Sequence, residues 1–233
     1  MKLVGLVKSS LIDYPGKVAA VIFTQGCNFR CGFCHNPDLI RIENLELEVN
    51  YSEKEILDFL KSRIGKLDGV VITGGEPLIQ PDLEGFIAKI KAMGYAIKLD
   101  TNGSSPEKLK HLIDSKLVDY VAMDIKGTFA KYGQICSYLN TKVIQQSVKL
   151  LTQNEVDYEF RTTVVPCYHD PEDFELIGQI IQGAKVYTIQ NFRPQITLDK
   201  NLNTVQPFTL DELNSFSEII APYVQKVVIH NNR

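Results

Sequence analysis

The hydrophobic positions of this chain fall into short continuous runs that alternate with stretches of helical period. Residues 18–24, Val-Ala-Ala-Val-Ile-Phe-Thr, are apolar throughout and bounded by turn signals, the pattern of a strand buried on both faces of a parallel sheet. Residues 52–64 open with Ser52 and Glu55 at capping-box spacing and continue with Ile56, Leu57, Phe59 and Leu60 on one helical face. The alternation then repeats. Strands are predicted at 70–72, 95–99, 118–123, 158–165 and 185–189, with a last apolar run at 227–229. Helices are predicted at 81–93, 106–115, within 138–153, at 172–182 and at 210–223, Gly94 stopping one and Pro106 opening the next. Two stretches break the pattern. Residues 1–16 read as turn-rich, with Pro15-Gly16 forming a type I or II turn capped by Asp13. Residues 40–49, carrying Glu43, Glu46 and Glu48, read as a charged and solvated connection.

Strands that alternate with helices at this spacing imply parallel β/α units and an α/β fold, with the site at the carboxyl edge of the strands. About six units fit the length, fewer than a full eight-unit barrel. No repeat, low-complexity tract or linker divides residues 1–233, so one domain is expected, with a core of about 17–195 and an appended helix and strand within 205–230. Composition narrows the class: 44% hydrophobic and 23% charged residues suit a globular protein, and a net charge of −3 gives no global pull toward nucleic acid or anionic membrane. No apolar run approaches the ~20 residues of a membrane span, and the first residues lack a signal-peptide pattern. A cytoplasmic location is expected.

The chemistry begins at Cys27-Asn28-Phe29-Arg30-Cys31-Gly32-Phe33-Cys34. Five cysteines, an odd number with three clustered, argue for a reducing compartment; Cys136 and Cys167 read as buried or incidental thiols. Three thiolates in a short polar loop suit a [4Fe–4S] cluster and leave one of its irons open to a small ligand. A zinc knuckle would want a fourth ligand, and His35 adjoins Cys34 too closely to supply it. A disulfide pair with a spare thiol is the other alternative.

This C-x₃-C-x₂-C loop, with the aromatic Phe33 before its last cysteine, resembles the signature of the radical S-adenosylmethionine (SAM) superfamily. The resemblance implies a partial (β/α)₆ barrel of the TIM type, a [4Fe–4S] cluster held by Cys27, Cys31 and Cys34, and SAM chelated at the open iron with Phe33 against its adenine. Gly74-Gly75-Glu76-Pro77 resembles the second signature, implying contacts from this backbone and glutamate to the SAM amino group; two glycines also let main chain approach a ligand closely. Asp100-Thr101-Asn102-Gly103 resembles the third-strand element, implying hydrogen bonds from Asp100 and Asn102 to the cofactor; an Asx-turn before a helix is the alternative. Asp124-Ile125-Lys126 resembles an Asp-x-Lys element bordering the methionine carboxylate. Asp124 and Lys126, one residue apart at a strand end, are expected to diverge and serve separate contacts. Arg161, in a hydrophobic strand, needs either a SAM carboxylate or a structural ion pair. The family's histidine after the sixth strand is missing from Ile189-Gln190-Asn191-Phe192-Arg193-Pro194, which leaves that contact and the role of Arg193 open.

Residues 6–37 resemble activating proteins of anaerobic ribonucleoside-triphosphate reductases most closely, and those of pyruvate formate-lyase less so. Asp13-Tyr14-Pro15-Gly16 lies where such proteins carry an element near their protein substrate. The implied activity is reductive cleavage of SAM to a 5′-deoxyadenosyl radical, which takes hydrogen from a glycine of a partner glycyl radical enzyme. An external one-electron donor such as flavodoxin or ferredoxin is implied, and no acid–base side chain is needed. A small-molecule radical SAM enzyme and a non-catalytic Fe–S electron-transfer protein are the rival readings.

Overall fold

The computed structural model describes residues 1–40, 51–153 and 155–231. The charged connection expected at 40–49 lies outside the described residues beyond Ile40. The strands are β1 (Leu3–Ser10), β2 (Ala19–Thr24), β3 (Gly69–Gly74), β4 (Ala96–Thr101), β5 (Tyr120–Asp124), β6 (Asp157–Val164), β7 (Tyr187–Asn191) and β8 (Val227–His230). The helices are α1 (Pro37–Ile40), α2 (Glu53–Ser62), α3 (Leu83–Lys91), α4 (Pro106–Asp114), α5 (Tyr132–Cys136), α6 (Thr141–Thr152), α7 (Pro171–Ile180) and α8 (Leu210–Ile220).

Among the described residues the strands form one sheet in sequence order, parallel from β2 through β8, with β1 antiparallel to β2. β1 and β8 stand at the two edges, so the barrel is open along one seam. The α/β fold and partial barrel expected from the sequence are present, and a helical segment joins each successive parallel pair. The strand β1 replaces the turn-rich reading of the first residues. Its alternation was obscured because register shifts between Leu3 and Gly5 and between Val7 and Ser10 put its apolar pairs out of phase. The turn beyond it is type II, with Pro15 at its second position and Gly16 at φ +71°, closed by Lys17 N–H to the Tyr14 carbonyl at 3.1 Å. Its approach is capped by Ser10 rather than by Asp13 alone: the Ser10 hydroxyl accepts from the Ile12 and Asp13 amides and donates to the Asp13 carboxylate.

Period-two alternation divides the strand residues between two compartments. Ile22, Ile72, Leu99, Val121, Phe160 and Ile189 face the helices and join the main core with Ile56, Phe86, Leu112, Val148, Phe174 and Phe216. Helix starts follow the chemistry of their first residues, with reciprocal capping boxes at Ser52/Glu55, Asp170/Asp173 and Thr209/Glu212. The opposite face lines the barrel. At its lower end Ala19, Val21 and Val71 pack with Tyr14, flanked by Phe23, Ala96 and Tyr120, and the Tyr14 and Tyr120 rings lie 5.9 Å apart. This apolar plug leaves the upper half of the barrel to polar side chains.

Tyr14 carries much of that plug from a loop. Replacing Tyr14 with Ala is expected to lower unfolding free energy by about 3 kcal/mol, read by urea denaturation; a change below about 0.5 kcal/mol, the size of an ordinary surface substitution, would show that the plug is dispensable.

Candidate active site at the cysteine loop

The cysteine loop hangs from the carboxyl end of β2 and is fixed by backbone bonds from four directions. Gly75 N–H donates to Thr24 O at 2.9 Å and Glu76 N–H to Gly26 O at 2.8 Å; Gly26 N–H donates to Leu39 O. On the other flank Arg30 N–H donates to Cys136 O at 2.8 Å, Gly32 N–H to Ile135 O at 3.4 Å, and Asp199 N–H to Gly32 O at 2.9 Å. The glycines after β3 serve this docking. A Cβ on Gly75 would lie 2.0 Å from Gly26 O, and one on Gly74, at φ +123°, 2.3 Å from the Thr24 backbone. The close approach foreseen for the Gly-Gly pair is therefore an approach to another stretch of main chain.

Cys27, Cys31 and Cys34 line one cavity of about 220 Å³ together with Phe33, Gly74, Gly75, Asp100, Asn102, Asp124, Lys126 and Arg161. Of the site residues expected from the sequence, Glu76 and Pro77 do not line it. The Glu76 carboxylate is buried beneath, accepting from Thr101 Oγ1 at 2.7 Å, Asn102 N–H at 2.6 Å and Leu78 N–H at 3.1 Å. Burial raises its pKa to about 7 against those three donors. Asn102 makes the Asx-turn, accepting from Ser104 N–H at 3.0 Å, and its amide donates to Asn28 in the cysteine loop at 2.9 Å. It thus ties the end of β4 to the cysteines while still reaching the cavity.

A chain of charges crosses the upper barrel. Arg161 Nε meets Asp124 at 2.9 Å and its Nη1 meets Asp100 at 3.4 Å; Lys98 also binds Asp100. Lys126 meets Asp124 at 2.9 Å, which corrects the expectation that these two side chains diverge. Ile125 N–H still donates to Arg161 O at 2.7 Å, so the extended ladder continues past Asp124 and positions 124 and 126 share a face. For Arg161 the structural ion pair is formed. Burial opposes the charge on Asp124, but Arg161 and Lys126 override it and hold the carboxyl at about 2. Burial likewise opposes the Lys126 charge, and Asp124 more than offsets it, leaving the ammonium above the usual lysine range.

The surroundings of the three thiols disfavour their ionised forms. Burial, then the nearby Glu76, pushes Cys27 up to about 12; burial raises Cys34; and Cys31 is raised by its contact with Cys136 and by burial. Thiolate ligands must lose those protons to metal.

Several lining residues carried no sequence signal that was read. Thr163 and Gln190 follow from period-two alternation with Arg161 and Thr188 on β6 and β7. His169 is buried, and burial lowers its pKa: Nδ1 accepts from Val165 N–H at 3.0 Å and Nε2–H donates to Lys126 O at 2.9 Å, fixing the Lys126 backbone. His35 lines the cavity, and its ring stacks on that of Phe192 at 6.3 Å with a 25° tilt, so a histidine stands at the end of β7 although it arrives from the cysteine loop. Arg193 lies in an adjoining groove of about 1030 Å³, which shares His35, Asn36, Arg161, Thr163 and Gln190 with the cavity and extends to Ile12, Asp13, Ile229 and His230 across the open seam. Cys167 is exposed.

The model of the Radical SAM superfamily matches residues 21–180. A Methanocaldococcus jannaschii protein assigned, provisionally, as a glycyl-radical enzyme activating enzyme is 37% identical over 234 residues, covering 97% of this chain and 94% of that protein. The chain belongs to the radical SAM superfamily, within its glycyl-radical enzyme activating family. A pyruvate formate-lyase-activating enzyme of Staphylococcus aureus is 33% identical over 171 residues, 70% of this chain and 67% of its own. The fold is shared with Streptococcus suis SuiB bound to S-adenosylmethionine, at TM-score 0.69 and 14% identity over 91% of this chain and 50% of that one. It is also shared with a domain of a pyruvate-formate lyase-activating enzyme from Bacteroides vulgatus, at TM-score 0.58 and 17% identity over 70% of this chain and 99% of that domain. The family uses a [4Fe–4S] cluster and SAM, and the donor set fits: three sulfurs converge on one cavity beside paired cations and an aromatic wall. No helix of the described residues is long and apolar enough to cross a membrane.

Two substitutions probe this geometry. Gly75→Ala is expected to displace the cysteine loop and to reduce iron bound after reconstitution severalfold, measured as iron per chain; full loading would separate the glycines from the site. Asp124→Asn is expected to cost about 2 kcal/mol, less than the ~3–5 kcal/mol of a sealed ion pair because the Asp124 side chain is 28% exposed to the cavity. With its folded pKa depressed from 3.8 to about 2, Asp124 contributes stability that is full above pH ~4 and lost as pH falls through that window. The variant's unfolding curve should accordingly converge on the wild type only at the acid end.

Proposed function

We propose that this protein activates an anaerobic ribonucleoside-triphosphate reductase by removing hydrogen from the Cα of a glycine in that partner. The observation that carries the reading is the groove along the unclosed seam, which opens into the cysteine cavity from the side. Its lining of Asn36, Gln190, Asn191, Gln195 and Asn231 offers amide donors and acceptors suited to an extended polypeptide. A segment of a large partner enzyme can be presented in such a groove without the partner entering the barrel.

In this reading Cys27, Cys31 and Cys34 hold the cluster. When bound and reduced by a one-electron donor such as flavodoxin or ferredoxin, the cluster and SAM together supply the 5′-deoxyadenosyl radical that takes the glycine hydrogen. Phe33 provides the face for adenine. The main chain of Gly74 and Gly75 serves the SAM amino group, since the Glu76 carboxylate is turned to Thr101 and Asn102. Asp100 and Asn102 serve the ribose, and Lys126 and Arg161 share their charge between Asp124 and the incoming carboxylate. Leu6 to Pro37 supports the reductase as partner by its resemblance; the Staphylococcus aureus relative favours pyruvate formate-lyase as the second reading.

The deciding experiment reconstitutes the protein without oxygen, reduces it, adds SAM, and measures 5′-deoxyadenosine and the partner's glycyl radical by EPR. With an anaerobic ribonucleotide reductase, both products are expected. A radical formed only in pyruvate formate-lyase would move the assignment to the second reading, and cleavage of SAM with no radical in either would reject a protein substrate of these classes.

A further inference from the structure

Phe29 lies between Cys27 and Cys31 in the loop and lines the cavity, with its N–H 3.4 Å from Cys27 Sγ. The half-buried ring of Tyr138, which does not line the cavity, packs on it with centroids 4.4 Å apart. Ser137, at φ +55°, ends α5 and turns the chain to place Tyr138 there, and Leu139 follows at 85% exposure. The exposed Arg30 covers the same stretch, its Nη1 donating to Cys27 O at 2.6 Å and to Phe29 O at 2.9 Å. Arg30, Tyr138 and Leu139 line neither the cavity nor the groove, so this outer face stays open when both are filled.

The face is also basic. Residues 125–154 contain Lys126, Lys131, Lys142 and Lys149 but no Asp or Glu, in a chain whose net charge is −3. Lys126 is turned to Asp124 and Lys131 to Asp170 and Asp173. Lys142 and Lys149 share the exposed side of α6 with Gln145 and Gln146, and neither forms an ion pair among the described residues. That helix begins just after Leu139. Its Ser147 donates to Gly103 O at 2.7 Å beside Ser104, which in turn holds Asn28, so α6 runs along the outside of the cysteine loop.

Electrons cross protein far more readily by short paths than by long ones. With SAM in the cavity and a partner segment in the groove, the remaining approach to the cysteines is through the loop itself, where the wall is one stacked ring pair. A small apolar contact ringed by cations suits a brief redox encounter, whose interfaces are small and whose rim charges steer association. We propose that Tyr138 and Leu139, with Arg30, Lys142 and Lys149 around them, form the docking surface for a one-electron donor protein with an acidic face. The donor loses one electron, the cluster gains it, and no proton or group is transferred. The proposal rests on Cys27, Cys31 and Cys34 being the cluster ligands.

The test follows bleaching of the cluster's absorbance when the reconstituted protein is mixed, without oxygen, with a reduced flavodoxin of net negative charge. Wild type is compared with Leu139→Ser and with the double variant Lys142→Glu/Lys149→Glu. The charge reversal is expected to slow reduction about tenfold at low salt, the difference shrinking as ionic strength rises. Leu139→Ser should slow it severalfold at every salt concentration. Photoreduced 5-deazariboflavin, small and uncharged, should reduce all three proteins at one rate. Equal rates with flavodoxin in all three would overturn the proposal. Equal slowing with both reductants overturns it too, because the face would then serve the cluster's own structure. A wild-type protein that takes up no cluster fails the cysteine assignment and the docking surface with it. The rate is read with no glycyl radical enzyme present, so it stands or falls apart from the choice of partner.

Discussion

In the proposed reading the site depends on one constraint: the cysteine loop must be held chiefly through its main chain, because three of its side chains are kept for the cluster. Asn28 and Arg30 add side-chain hydrogen bonds, but the cysteines contribute none that would leave their sulfurs free. The fold answers with peptide groups from distant parts of the chain. The Gly74-Gly75 turn docks on Thr24 and Gly26, the end of α5 docks on Arg30 and Gly32, and Asp199 reaches Gly32 from beyond β7. Each contact requires backbone to approach backbone, which is why a Cβ at Gly75 has no room. Barrel strands β2 and β3 set the distance between the first two partners through their parallel register, Thr24 opposite Gly74.

A second consequence concerns charge. Lys98, Arg161 and Lys126 alternate with Asp100 and Asp124 across the inner face above the apolar plug, each cation in contact with an acid. The network is therefore left with a single excess positive charge, and a zwitterionic ligand exchanges partners within it instead of meeting bare charges. Such an arrangement keeps ionised side chains in a half-buried cavity at modest cost. It also fixes their directions, with His169 holding the Lys126 backbone from below.

Much of this was legible in the residues, and the failures have physical causes. The strands β2 to β8 declared themselves because strands covered on both faces read as apolar runs, and the cysteine loop because its spacing leaves few other chemistries. The strand β1 was missed since its bulges break the alternation that marks a strand. Helix α5, five residues long, is too short to show a helical period. The Asp124–Lys126 pair was misjudged by treating the strand end as the end of the pleat, though the ladder runs on through Ile125. Glu76 was read toward the ligand because a motif gives spacing and not direction; Thr101 and Asn102, from another strand, turn its carboxylate inward.

The central claim is that three protein thiols, held by this backbone frame, leave one iron of the cluster for SAM. Mössbauer spectroscopy of the ⁵⁷Fe-reconstituted protein, with and without SAM, tests it most directly. The account predicts that one iron in four changes its isomer shift when SAM is added while the other three do not. Four irons that remain equivalent and insensitive to SAM would mean that the protein supplies a fourth ligand, and would contradict it.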